Sequence, residues 1–179
     1  MAGEMPSVTI RRIRAGEAVP YRAIRLRALE GEPLAFGSTI EEALARPPEW
    51  WEERVRDCAT GSASALFIAE TAEGWCGLIG GAQGGLIDDA PLDPAAPWDV
   101  ISMWIDPPAR RLGIARGLLD AVTAWAVEGG AGALQLMVTE GNAPAIALYE
   151  SCGFAFTGYV EPLPGRPAYR EFRMRRALS

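Results

Sequence analysis

Between Met103 and Gly117 the chain reads MWIDPPARRLGIARG, and that order of residues restricts how this part can fold. An apolar run stops at Asp106-Pro107-Pro108, two arginines and a glycine follow, and a long amphipathic segment begins. The pattern predicts a strand, a tight turn and a helix start, with basic residues gathered at the junction. The first turn of a helix has free backbone N–H groups at the positive end of its dipole, so it attracts phosphate. Gly113 and Ala115 leave room for a phosphate to approach the backbone. Arg110, Arg111 and Arg116 add charge that can meet phosphate oxygens bidentately. The stretch therefore predicts a pyrophosphate-bearing cofactor.

The rest of the composition narrows the function. At 179 residues the chain has the length of one ordinary domain, read here as 1–179, and nearly half of it is apolar. A net charge of −6 argues against a general nucleic-acid binder, which needs a basic face. It is compatible with a cationic substrate such as an amine, and equally with plain solubility. Cys58, Cys76 and Cys152 form neither a metal-ligand spacing nor a disulfide framework, which points to a reducing cytoplasm. With no histidine, Ser-His-Asp chemistry and His-based metal sites are excluded. No apolar run approaches the roughly 20 residues of a membrane span, so no membrane association is expected.

Periodicity predicts strands over Val8–Arg14, Ser64–Glu70, Trp75–Ala82, Trp98–Ile105, Ala133–Thr139, Phe154–Val160 and Ala168–Arg175. It predicts helices over Glu17–Leu29, from the Thr39/Glu42 capping box to Pro47-Pro48, and over Glu49–Cys58. Two more follow over Arg110–Val127 and Ala143–Ser151. In the longest of these, Leu112, Leu119, Val122 and Ala126 fall on one side. Gln83–Pro97 is rich in Gly, Pro and Asp and reads as a surface loop. The sum is an α+β chain built on a mostly antiparallel sheet.

A second constellation is NAPAIALYESCGF, starting at Asn142. Asn142 and Tyr149 lie seven residues apart, two helical turns, so a capping side chain and a tyrosine hydroxyl project to one side and can face one ligand. The turn at Arg110 matches neither a Walker loop nor a dinucleotide fingerprint. Taken together, MWIDPPARRLGIARGLL and the Asn…Tyr…Gly-Phe block resemble the GNAT superfamily of acyl-CoA N-acyltransferases. Arg110-Arg111-Leu112-Gly113-Ile114-Ala115 resembles its pyrophosphate loop, with Ala in the last place. The resemblance covers Ser64–Val160, and more loosely the run from Tyr21 to Thr39.

That resemblance implies a GNAT-like sheet of about seven strands flanked by helices, with a splay between the fourth and fifth. It implies acetyl-CoA as co-substrate. The backbone of Met103, Trp104 and Ile105 would pair with the pantetheine arm. Arg110, Arg111, Leu112, Gly113, Ile114, Ala115 and Arg116 would form the pyrophosphate loop, and Asn142 would bind the cofactor's amide region. Tyr149 would protonate the leaving thiolate after direct attack by a primary amine, with a backbone N–H holding the oxyanion. The acceptor would be a small-molecule or peptide amine, and homodimers are common in the superfamily. Relatives that acetylate ribosomal proteins carry a Glu five residues before the Asn, where this chain has Met137. Glu140, Asp99, Ser102 and Glu30 remain candidates for the base, beside a water chain. Residues from Leu29 to Trp51, Gln83 to Pro97 and Val160 to Tyr169 would line the acceptor side, with Trp50 and Trp51 as an aromatic wall or as packing. The alternative reading is a non-catalytic acyl-CoA-binding sensor or regulatory module.

Overall fold

The computed structural model describes residues 7–83 and 96–178; most of the Gln83–Pro97 loop expected from the sequence thus lies outside the described residues. Among the described residues seven strands form one mixed sheet: β1 (Thr9–Arg12), β2 (Ser64–Thr71), β3 (Gly74–Ala82), β4 (Trp98–Ile105), β5 (Ala133–Thr139), β6 (Ala155–Leu163) and β7 (Arg166–Ala177). Their spatial order is β1-β2-β3-β4-β5-β7-β6, antiparallel throughout except between β4 and β5. The helices that flank it are α1 (Ala18–Gly31), α2 (Ile40–Ala45), α3 (Pro48–Thr60), α4 (Ile114–Glu128) and α5 (Ala143–Ser151). No helix among the described residues is long and apolar enough to cross a membrane.

Local chemistry sets most of the boundaries. Thr39 Oγ1 accepts from Glu42 N at 3.2 Å while the Glu42 carboxylate accepts from Thr39 N at 2.9 Å, the reciprocal cap that opens α2. Asn142 caps α5 and Pro144 sits in its first turn, where a missing N–H has no cost. The helix expected from Arg110 begins four residues later, at Ile114. Pro107–Ala109 form a short 3-10 turn, and Arg111 and Gly113 have φ of +66° and +78°, which no α-helix accepts. Leu112 consequently leaves the buried side of α4 and is 38% exposed, while Leu119, Val122 and Ala126 stay buried.

The two sheet faces are covered differently. Helix α4 packs Leu118, Leu119, Val122 and Trp125 on one face, whereas α1 and α3 bury Ile24, Leu29, Trp51 and Val55 on the other. On the α4 side the Trp98 and Trp125 rings lie 4.7 Å apart, and each needs a glycine beside it. A Cβ on Gly129 would come within 2.1 Å of the Trp98 ring, and one on Gly81 within 2.5 Å of the Trp125 ring. Overpacking of this kind costs about 1–3 kcal/mol. Gly81→Val is expected to lower stability by that amount in denaturant unfolding, and a variant as stable as the parent would contradict this packing.

Candidate active site

The parallel pairing of β4 with β5 lasts only two residues, Trp98 with Leu134 and Asp99 with Gln135. Beyond them β4 follows β3 and β5 follows β7, so the strands part towards their C-terminal ends. A bulge helps to open the gap. Between the pairs Gly80–Ile101 and Leu78–Trp104, β4 has two residues against one on β3, and Ser102 there adopts φ +57°. Backbone groups facing across such a gap have no ladder partner and need one from elsewhere.

A cavity of about 860 Å³ opens from this splay. Met103, Trp104 and Ile105 line one wall, and Met137, Val138 and Thr139 the other. Its outer end is the loop and first turn of α4, from Arg110, Arg111 and Gly113 to Ile114, Ala115 and Arg116. Leu112, which the sequence placed in the same loop, is not among the lining residues. The first intrahelical bond of α4 runs from Gly117 N to Gly113 O, leaving the N–H groups at the helix start to meet a ligand.

The three arginines of this region differ in their engagements. Arg110 donates from Nε to Ile105 O at 3.0 Å and pairs with Glu32, tying the end of α1 to the end of β4. Arg116 donates to Ser151 Oγ at 2.9 Å, joining α4 to α5. Arg111 has no hydrogen-bond or ion-pair partner among the described residues, so its exposed charge is the one available to a ligand.

Helix α5 closes the cavity from above, and both Asn142 and Tyr149 line it, as their two-turn spacing predicts. The Asn142 Oδ1 accepts from Ala145 N at 3.4 Å, a long cap. Tyr149 is buried against Phe154, with ring centroids 6.0 Å apart. Burial, with a smaller contribution from Cys152, pushes its phenol up to about 12. It is therefore protonated across the neutral range.

Tyr149 also lines a second cavity of about 270 Å³, which shares Ala35, Met103 and Met137 with the first. This chamber is crowded with charge: Asp99, Glu161 and Glu171, and also Arg25 and Arg173. Glu161 and Glu171 are direct cross-strand partners on β6 and β7. Desolvation and then the neighbouring Glu161 push the Glu171 carboxyl up to about 7. Asp99 is buried and accepts from Gln135 Nε2 at 2.8 Å.

The sequence profile of the acetyltransferase (GNAT) family matches residues 28–154. The chain belongs to that family. Its co-substrate is acetyl-CoA, and the protein is a GNAT acetyltransferase. A search of curated protein sequences finds no match. Solved structures give the same fold. A GNAT acetyltransferase from Streptococcus pneumoniae is 19% identical over 97% of this chain and 100% of that one, with a TM-score of 0.78. A protein from Salmonella typhimurium, solved with its cofactor acetyl-CoA, is 18% identical over 97% and 95%, at 0.72. The spermidine N-acetyltransferase of Vibrio cholerae, in complex with CoA and spermine, is 22% identical over 95% of both chains, at 0.69.

The larger cavity of this GNAT chain suits a CoA thioester on its own features. It has an unpaired strand gap for an amide-bearing arm, a loop with free N–H groups for phosphates, and an unengaged arginine beside them. Among the residues weighed as a base, Glu140 is exposed at the cavity rim and ion-paired with Arg170, and Glu30 lines neither cavity. Asp99 and Ser102 do line the smaller one, and Met137 sits where the two chambers meet. Trp50 and Trp51 line neither; they pack edge-on at 4.9 Å, with Trp51 against Tyr21. Arg25, Glu171 and Arg173 are the residues that sequence reasoning missed. The last two alternate on one face of β7, a period-2 signal visible in REFRMRR.

Glu171 carries a stability signature. Its folded value of about 7 lies above the ordinary 4.5, so the charged form is disfavoured by folding. The penalty is absent below the unfolded value, grows between 4.5 and about 7, and is complete above that. Glu171→Gln should therefore melt at a higher temperature than the parent at pH 8, with the gap closing towards pH 4.5. A gap independent of pH would contradict the burial of this carboxyl.

Proposed function

We propose that this protein transfers the acetyl group of acetyl-CoA to the primary amine of a small-molecule acceptor by direct attack, with Tyr149 as general acid and Glu171 as proton acceptor. The observation that carries the reading is the meeting of the two cavities at Tyr149, Met103 and Met137. Acetyl-CoA supplies the acetyl group as a thioester, already activated for attack. Backbone groups of Met103–Ile105 would align its arm, and Arg111 with the α4 N-terminus would hold its pyrophosphate. Glu171 takes a proton from the acceptor's ammonium, directly or through one water, and so frees the nitrogen lone pair. As the new C–N bond forms and the C–S bond breaks, Tyr149 gives its proton to the departing sulfur, and the proton that the new amide nitrogen sheds passes, directly or through water, to the tyrosinate and restores the phenol. A phenol held up to about 12 keeps that proton until the sulfur develops charge.

A proton acceptor near 7 gives a measurable profile. Activity should rise with pH through about 7, because only ionised Glu171 accepts a proton. Burial and Glu161 set the position of that limb, in a chamber that Asp99, Arg25 and Arg173 also line. Glu171→Gln should remove the limb and lower kcat; an unchanged profile would assign the base elsewhere.

Tyr149→Phe preserves the buried ring and removes only the acid. General acid–base catalysis contributes about 10²–10⁴-fold, so kcat in a thiol-release assay should fall within that range with the KM for acetyl-CoA little changed. Equal turnover would remove Tyr149 from the chemistry. CoA binding with no thiol release from the parent protein with any amine would instead indicate a binding module.

Arg111 gives an independent test of the cofactor loop. A non-glycine residue in the left-handed region costs about 1–2 kcal/mol, and a glycine there loses about 0.5–1 kcal/mol of chain entropy on folding. The first equals or exceeds the second, so Arg111→Gly should melt no lower than the parent while weakening CoA binding about tenfold in calorimetry. Unchanged affinity would take Arg111 out of the pyrophosphate site.

A further inference from the structure

The smaller chamber holds a charge arrangement that a plain amine does not explain. Arg25 reaches it from α1 with its guanidinium 4.4 Å from the Phe36 ring, and it donates to Ser38 Oγ at 2.8 Å. Among the described residues no carboxylate pairs with it, and its Nη1 is sealed from solvent with no hydrogen-bond acceptor. Arg173 reaches the same chamber from β7, with its guanidinium 3.9 Å from the Tyr159 ring and its Nε likewise buried without an acceptor. Buried cations without counter-ions are costly and are retained when something else supplies the negative charge. Among the described residues neither arginine is ion-paired with the chamber's acidic groups: Glu161 accepts from the Tyr159 hydroxyl at 2.7 Å, and Asp99 from Gln135.

We infer that the acceptor is a small zwitterion, an amine that also carries a carboxylate, whose acid group is bound by Arg25 and Arg173 while its ammonium faces Glu171 and Glu161. The inference rests on the amine-acetylation reading above and narrows its acceptor. Guanidinium groups match carboxylates bidentately, and stacking on Phe36 and Tyr159 holds the two planes in place. The chamber's size agrees: about 270 Å³ lies just below the roughly 300–1,000 Å³ of sites for drug-sized ligands, and suits a metabolite. A polyamine would bring further cations against two unpaired arginines, so this chamber selects a different acceptor from a purely cationic one.

The experiment is a thiol-release assay with acetyl-CoA across free L-amino acids, the same amino acids as C-terminal amides, the matching decarboxylated amines, and spermidine. Free amino acids should be the best class, with at least one exceeding its amide and its decarboxylated amine about 100-fold in kcat/KM. Arg25→Met keeps the apolar stem and removes an uncompensated buried charge, so it should melt no lower than the parent. It should also raise KM for the amino acid about 100-fold, change kcat less, and leave the amide nearly unaffected. Equal use of amides and decarboxylated amines, preference for spermidine, or an Arg25→Met variant that keeps the discrimination would overturn the zwitterion assignment while leaving N-acetylation intact. Absence of thiol release with every amine would overturn the acetylation reading itself, and the acceptor assignment with it.

Discussion

The two-residue parallel contact between β4 and β5 is the constraint on which the rest of this molecule depends. A sheet that stayed paired to its C-terminal edge would satisfy its own backbone and leave nothing for a ligand. Here pairing ends at Asp99 and Gln135, the bulge at Ser102 turns β4 away, and the strands open into a gap. The gap exposes a strand edge on each side, which an amide-bearing ligand can complete in the manner of an added strand. It also joins the larger cavity to the smaller one, with Tyr149 at their meeting point. The same two residues that end the pairing, Asp99 and Gln135, then line the smaller chamber.

Charge is distributed differently over the two chambers. At the outer end of the larger one, Arg110 and Arg116 are anchored to Glu32 and Ser151 and hold the loop, while Arg111 is left for a ligand. Deeper in, burial keeps the Tyr149 phenol protonated and pushes the Glu171 carboxyl up to about 7. Both shifts run upward and both are led by burial, so the phenol stays protonated at neutral pH while the carboxyl ionises only around 7.

Much of this was legible in the sequence because the signals were local. The Thr39/Glu42 cap, the Asn142 cap with Pro144 behind it, and the alternation of the strands each depend on a few adjacent residues. The Arg/Gly turn and the Asn…Tyr block gave the family. Misreadings arose where backbone conformation outweighed side-chain pattern. Arg111 in the left-handed region delays α4 to Ile114 and frees Leu112 from the buried side. The smaller chamber was less legible because its residues come together only through long-range pairing. Glu161 meets Glu171 across the β6–β7 hairpin, and Arg25 arrives from a helix more than a hundred residues earlier. Trp50 and Trp51, the most conspicuous aromatic pair in the sequence, are taken up by packing against each other and Tyr21.

In the proposed function the splay seats a CoA thioester with its reacting end at Tyr149. A crystal structure of the protein with acetyl-CoA tests this most directly. The pantetheine arm is expected between β4 and β5 beside Met103–Ile105, the pyrophosphate at Arg111 and Gly113, and the thioester sulfur within hydrogen-bond reach of the Tyr149 hydroxyl. An arm lying outside the splay, or a sulfur remote from Tyr149, would contradict it.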